Sequence, residues 1–169
     1  TQRVETEIQE MFPKARVGRI DRDTVRRRGA LSTLLKKFAQ GKLDLLIGTQ
    51  MIAKGHDFPN VTLVGVVSAD VGLGLPDFRA AERTFQLLTQ VAGRSGRGGK
   101  TGETIVQTLH PDHYSLHHAC EQNYKSFYEE ELTFRRRMRY PPIVALANMV
   151  VKHQSPGNAL ETATKFVAA

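Results

Sequence analysis

A three-layer α/β fold around a mainly parallel sheet is predicted by three observations. Helical and strand patterns alternate along the chain, the strand candidates include continuous apolar runs, and the helical segments between them are one-sided. The first helical stripe is Val4, Ile8, Met11 and Phe12, ended by Pro13. ARVGRI (15–20) reads as a short strand. Leu31, Leu34, Leu35 and Phe38 make the next helical stripe, closed by Gly41. LDLLIG (43–48) and VTLVGVVS (61–68) are apolar throughout, as expected of strands covered on both faces.

Asp77, after Pro76, is expected to cap a helix from Phe78, with Phe78, Ala81, Phe85, Leu88 and Ala92 inward. Arg79, Glu82, Arg83, Gln86 and Gln90 then fall on the outward side. ETIVQTL (103–109) predicts a further strand, and Pro111-Asp112 is expected to open one long charged helix reaching about Arg137. Tyr140-Pro141-Pro142 interrupts the pattern, since two prolines cannot continue a helix. VALANMVVK (144–152) reads as a strand, SPGN (155–158) as a turn, and Ala159 as a helix start. The expected division is a domain at 1–139 and an incomplete start of a second at 140–169. The N-terminus reads as cut, because a helix comes with no strand before it.

The chain has 169 residues, 40% of them apolar, enough for one sizeable core. It carries 24 Lys plus Arg against 17 Asp plus Glu, a net charge of +7. That excess favours a polyanionic partner without identifying it. No apolar run approaches the roughly 20 residues that span a bilayer, and no signal-peptide pattern opens the chain. The expectation is a soluble cytoplasmic protein with no membrane partner. The single cysteine, Cys120, excludes an internal disulfide and any multi-cysteine zinc site.

Two segments carry chemistry. TQVAGRSGRG (89–98) sets Gln90, Gly93, Arg94 and Arg97 in a Q-x-x-G-R-x-x-R pattern. Two guanidiniums three residues apart, after a stiff helix, can reach one polyphosphate together, and the glycines let the backbone approach it. GTQMIAKGHDFPNV (48–61) directly follows an apolar strand, where ligands of a parallel sheet are expected. Taken singly, each segment also reads as something plainer: a solvated Gly-Arg loop, or a turn with a capping Asp. Their joint presence, in this order, favours the chemical reading.

The first of these segments resembles motif VI of superfamily 2 helicases and the second motif V. The resemblance implies a RecA-like second motor lobe. It implies Arg94 and Arg97 as arginines acting on a transferring phosphate, with Gln90 positioning water or the γ-phosphate. Gly55 and Asp57 would lie on the nucleotide side of the cleft, and Thr49, Gln50 and Lys54 would contact the DNA backbone. The run SADVGLGLPDFRAAERTFQLLTQVAGRSGRG, with GRIDRDT (18–24) and FYEEELTFRRRMRYPP (127–142), is more similar to the bacterial replication-restart, or primosomal, helicases than to other members. This resemblance covers nearly the whole chain. It implies 3′ to 5′ translocation on single-stranded DNA, action at forked DNA, and work alongside single-stranded DNA-binding protein and primosome proteins near the nucleoid. ATP and Mg2+ would be held mainly by a first lobe that this chain lacks. The family's zinc-binding cysteine cluster lies upstream, and no residue here matches it.

Other features read as decoys. Gly99-Lys100-Thr101 resembles the end of a phosphate-binding loop, but such a loop needs glycine at position 94, which is Arg94, and a helix afterwards. His110, His113, His117 and His118 have spacings open to a metal, most simply His113 with His117 one turn apart, yet solvated helix histidines fit better. No metal ligand is assigned. Arg135 to Arg139 fit the cationic end of a helix slightly better than a DNA track. Arg26 to Arg28 begin a helix, where cations oppose the dipole, so a partner fits there. No aromatic stripe supports base stacking. The function expected is the second motor lobe of an ATP-dependent DNA helicase, inactive as an ATPase by itself. The alternatives are a non-catalytic RecA-like nucleic-acid-binding module, or the lobe of another superfamily 2 motor such as a branch-migrating helicase.

Overall fold

A computed structural model describes residues 1–21, 24–25, 29–50, 52, 58, 60–93, 102–147 and 149–167. The order of elements is α1 (Gln2–Met11), β1 (Val17–Ile20), α2 (Ala30–Ala39), β2 (Leu45–Gly48), β3 (Leu63–Val66), α3 (Asp70–Leu73), α4 (Ala80–Ala92), β4 (Glu103–Val106), α5 (Tyr114–Cys120), α6 (Tyr124–Met138) and α7 (Pro156–Val167). All four expected strands of the α/β pattern form within their predicted runs. Each pairing is parallel: β1 with β2, from Val17 opposite Leu45 to Ile20 opposite Gly48, and β3 with β4, from Leu63 opposite Glu103 to Val66 opposite Val106. The described residues thus make two separate two-stranded sheets, each closed by helical crossovers, α2 in the first and α3 with α4 in the second.

The chain divides into two compact units, Thr1–Glu131 and Leu132–Ala169, with the division inside α6. In the first unit two apolar clusters hold the elements. Ile20, Leu35 and Phe58 are buried together, with Leu31, Leu34, Phe38, Leu46, Ile52 and Val61 packed around them. Phe38 meets Phe58 edge-on at 5.0 Å. The stripe predicted for α2 therefore faces β1 and β2. The second cluster is Ala69, Phe85, Leu88, Leu116, Ala119 and Phe127, where the rings of Phe85 and Phe127 stack at 4.1 Å. Of the face predicted for α4, Phe85 and Leu88 are buried as expected, and Thr84 joins them. Its hydroxyl stays satisfied by donating back to the Ala80 carbonyl at 2.9 Å.

Polar contacts lock the strand ends. Arg16 grips Asp44 with Nε at 2.9 Å and Nη2 at 2.7 Å while its backbone N–H donates to the same carboxylate at 2.8 Å. These bonds hold the Asp44 carboxyl far below the usual carboxylate range, with the Arg16 side chain the largest cause. Arg19 of β1 lies between Glu5 of α1 at 2.7 Å and Asp21 at 3.1 Å, fastening the first helix to its strand.

Four local expectations are corrected. Asp77 does not begin a helix at Phe78: α4 starts at Ala80 with Arg79 as its N-cap, and Asp77 instead accepts from the Arg79 backbone N–H at 2.9 Å in a turn just ahead. The single helix expected from Asp112 to Arg137 is two. His113 caps α5 by accepting from the Ser115 N–H. The helix then stops because Gln122 takes a left-handed φ of 53°, which lets Asn123 N–H reach the His118 carbonyl and Gln122 N–H the Ala119 carbonyl. Asn123 restarts the chain as the cap of α6, its side chain accepting from Ser126 N–H at 3.1 Å.

The other two corrections lie in the second unit. VALANMVVK pairs with no strand among the described residues; Leu146, Met149 and Val150 are 56%, 64% and 68% exposed. A strand without a neighbouring edge has no partner for its backbone groups, so an apolar run alone does not make one. SPGN is not a turn but a helix start: Pro156 occupies the first position of α7 and the Ser155 carbonyl accepts from Ala159 N–H. Arg135, Arg136 and Arg137 fall in the last turn of α6, as the dipole reading expects, and Arg135 Nη1 donates to the Pro141 carbonyl at 3.2 Å. The α2 helix begins at Ala30, after Gly29 at φ 85°; Arg26 to Arg28 lie outside the described residues.

The α5 cap makes a pH-dependent contribution. His113 Nδ1 must be unprotonated to accept from Ser115 N–H, and burial pushes the His113 pKa below its usual 6.5, helped by His110 and opposed by Glu131 and Glu130. Because the folded value is the lower one, the stabilisation is complete above about pH 6.5 and is lost as pH falls through the folded value. His113→Ala is expected to lower unfolding free energy by about 1 kcal/mol at neutral pH, whereas His113→Asn restores a cap that does not titrate there. Urea unfolding at pH 7.5 and 5.5 checks both: the loss in stability on acidification should be smaller in His113→Asn than in the native chain.

Candidate functional site at the strand ends

The predicted 48–61 segment begins where β2 ends. Gly48 is the last residue of the strand, and a Cβ there would collide with Ile52 Cδ1 and sit 2.7 Å from the Ile20 carbonyl oxygen. No side chain fits, so glycine is what allows the chain to leave the sheet while Ile52 folds back over it. Ile52 N–H donates to the Thr49 carbonyl at 3.1 Å, making a tight turn that leaves Thr49 and Gln50 exposed at the carboxyl end of the parallel pair. Further on, Phe58 is buried against Phe38, and Val61 N–H donates to its carbonyl. Lys54, Gly55 and Asp57 lie outside the described residues, between these two apolar anchors in sequence.

The predicted 89–98 segment begins on α4. Its inward face is seated through Thr84, Phe85 and Leu88, and Gly72 of α3 approaches so closely that a Cβ there would stand 2.6 Å from Thr84 Oγ1. On the outward face Asp77 neutralises two arginines, Arg83 at 2.7 Å and Arg79 at 3.7 Å, and Gln86 donates to Glu82 at 3.1 Å. Gln90 continues this face and is exposed. The helix ends at Ala92, with Gly93 N–H donating to the Thr89 carbonyl at 3.1 Å. The open carbonyls of a helix end are a favourable neighbour for cations. Arg94 and Arg97 follow Gly93 in sequence and lie outside the described residues, as do Gly99, Lys100 and Thr101.

Of the predicted site residues, the structure thus describes Thr49, Gln50 and Gln90. Thr49 and Gln50 follow β2, whose Leu46 packs on the Ile20 cluster, and Gln90 lies on α4, whose Phe85 and Leu88 belong to the other cluster.

Three positioning residues went unread in the sequence. Ile52 and Phe58 bracket the Lys54–Asp57 stretch, and both are apolar residues inside a segment otherwise read only for its polar groups. Asp70 is the third. Its carboxylate accepts from the Thr108 hydroxyl at 2.7 Å and from Leu109 N–H at 3.1 Å, tying the segment after β3 to the one after β4. The Thr108 bond is the chief reason its pKa lies below the usual carboxylate value, with Leu109 and His110 adding to it against burial. An acid immediately after an apolar strand run was the available signal.

Comparison with known proteins reaches the same segments. The family model described as "Helicase conserved C-terminal domain" matches residues 1–99, which include both predicted segments. "Replication restart protein PriA" of Bacillus subtilis is 54% identical over 166 residues, covering 98% of this chain and 21% of that protein. The protein of the same description from Chlamydia pneumoniae is 47% identical over 163 residues, 96% of this chain and 22% of that one. That from Borreliella burgdorferi is 38% identical over 165 residues, 98% and 25% respectively. The chain therefore spans between a fifth and a quarter of the length of these relatives.

Proposed function

The chain belongs to the helicase conserved C-terminal domain family, and on that premise we propose that it is the second, RecA-like motor lobe of an ATP-dependent DNA helicase that acts in replication restart. The observation that carries this reading is the match over residues 1–99, which takes in a Thr-bearing turn at a parallel strand end and a helix whose carboxyl end leads into Arg94 and Arg97. In this reading the two parallel pairs belong to one three-layer α/β lobe, and residues 140–169 start the domain that follows.

ATP would lie between this lobe and a preceding one. Arg94 and Arg97 supply positive charge to the transferring phosphate, and Gln90 orients the attacking water or the γ-phosphate. Gly55 and Asp57 contact the nucleotide side, and Thr49, Gln50 and Lys54 hold the DNA backbone. Closing the cleft moves the Thr49 turn along that backbone, which couples hydrolysis to a 3′ to 5′ step. The Mg2+ that accompanies ATP needs oxygen ligands in octahedral array. In this reading its protein ligands belong to the first lobe; the His117, His118 and Glu121 group is too nitrogen-rich to suit Mg2+. Single-stranded and forked DNA, single-stranded DNA-binding protein and primosome proteins are the partners this role entails, in the bacterial cytoplasm at the nucleoid.

The 169 residues contain no complete Gly-x-x-x-x-Gly-Lys-Ser/Thr sequence, since Arg94 stands where its first glycine would be. The isolated chain is therefore expected to show no ATPase activity with or without single-stranded DNA, while the longer protein containing it shows DNA-stimulated hydrolysis. DNA-stimulated ATPase from the isolated chain would refute this division of labour. A longer protein lacking a phosphate-binding loop upstream would favour the alternative, a non-catalytic RecA-like module.

A further inference from the structure

The end of α5 carries a cluster that the motor function leaves unused. His117, His118 and Glu121 each offer one ligand atom, and these atoms all lie within 4.8 Å of one another. His117 Nδ1 is 3.7 Å from Glu121 Oε1, and His118 Nδ1 is 4.0 Å from Glu121 Oε2. His113, which spacing would pair with His117, is engaged elsewhere as the α5 cap. We propose that His117, His118 and Glu121 bind a divalent transition ion of the zinc class, with Glu130 as the outer partner that orients His118.

Two features beyond proximity support a ligand. His118 Nε2 lies 2.8 Å from Glu130 Oε2 on α6, so a proton on that nitrogen is held by a carboxylate. This tautomer leaves Nδ1 with its lone pair unprotonated, and Nδ1 is buried with no hydrogen-bond partner. A carboxylate–histidine pair with the other nitrogen unsatisfied is the arrangement that metal-bound imidazoles show. An ion can approach from the side of His117 and Glu121, which are 63% and 51% exposed, and a small turn of His118 then presents its covered Nδ1. Bonds of about 2.0–2.1 Å to a tetrahedral ion require donor atoms about 3.3 Å apart, within reach of small side-chain rotations from the spacing observed. The carbonyl end of α5 adds favourable potential for a cation. Two imidazoles and one carboxylate suit zinc, cobalt or nickel rather than Mg2+ or Ca2+, with water completing the site.

The test is a Co2+ titration of the purified protein followed by visible absorption, with Zn2+ as competitor. The native protein should bind one ion per chain more than the His117→Ala/Glu121→Gln double variant, and Zn2+ should displace it. Glu130→Gln should weaken that ion by about 10- to 100-fold. Because His117 and Glu121 are largely exposed, the metal-free double variant should keep the native circular dichroism and urea midpoint. Single His117→Gln serves as the comparison if the double variant does not. Equal ion counts and affinities in the native protein and these variants would overturn the site. So would an extra ion that is lost in Cys120→Ser but kept in the double variant, since a thiol would then be the ligand.

Discussion

Replacing Arg97 by alanine in the longer protein is expected to lower DNA-stimulated ATPase by about 10³-fold or more, with single-stranded DNA binding largely kept. An arginine that meets the transferring phosphate acts on charge present in the transition state, so its loss falls on kcat more than on KM. Thr49, Gln50 and Lys54 are the proposed DNA contacts and remain intact in this variant, which is why binding should survive. Steady-state kinetics with and without DNA, beside a filter-binding curve at fixed salt, separates the two effects. Native ATPase in Arg97→Ala would remove the arginine from the catalytic assignment. Arg97→Lys should recover little, because one ammonium cannot reproduce the planar fork of a guanidinium.

The second large effect expected is on stability. Phe85 is 4% exposed and stacks on Phe127 at 4.1 Å, in the cluster that seats α4 against α5. Phe85→Ala removes that ring and leaves a cavity among Leu88, Leu116 and Ala119, at a cost of about 3–5 kcal/mol. Domains of this size are stable by about 5–15 kcal/mol, so a substantial share of the margin would go. Urea unfolding should show the midpoint fall with little change in slope. Phe85→Leu, which refills much of the space, should cost clearly less. The same ring also positions the helix that leads to Arg94 and Arg97. At temperatures where the variant stays folded, a loss of ATPase greater than its unfolded fraction would tie the packing to the site.

Much of the candidate site could be read directly. The Q-x-x-G-R-x-x-R spacing and the Thr-to-Asp segment after an apolar strand are local patterns, carried by residue types whose chemistry does not depend on distant contacts. Gly48 is different, because the need for glycine comes from Ile52 and the Ile20 carbonyl folding onto it. The partners of Asp70 and Glu130 are also invisible along the chain. Thr108 with Leu109 in one case and His118 in the other are brought to them only by packing.

Helix ends divide in the same way. Three helices close with the same pair of backbone bonds around a left-handed residue: Gly41 at φ 69°, Gln122 at φ 53° and Arg139 at φ 55°. Only the first announces itself, since glycine adopts that conformation without steric cost. At Gln122 the strain is offset by burying Leu116, Ala119 and Phe127 from the two helices on either side, and no propensity records that.

By itself, the amino-acid order determined the alternation of helices and strands and the buried faces of α2 and α4, and it carries the residue patterns on which the proposed phosphate and DNA contacts rest. Those are properties of short-range periodicity and side-chain chemistry. Tertiary structure alone decided the split between α5 and α6, the two parallel pairs among the described residues, the absence of a strand partner for the described residues of 144–152, and the meeting of His118 with Glu130. The reason is that a strand or an ion site exists only when a second segment supplies the missing hydrogen bonds or charges, and which segment arrives is settled by packing across the whole fold.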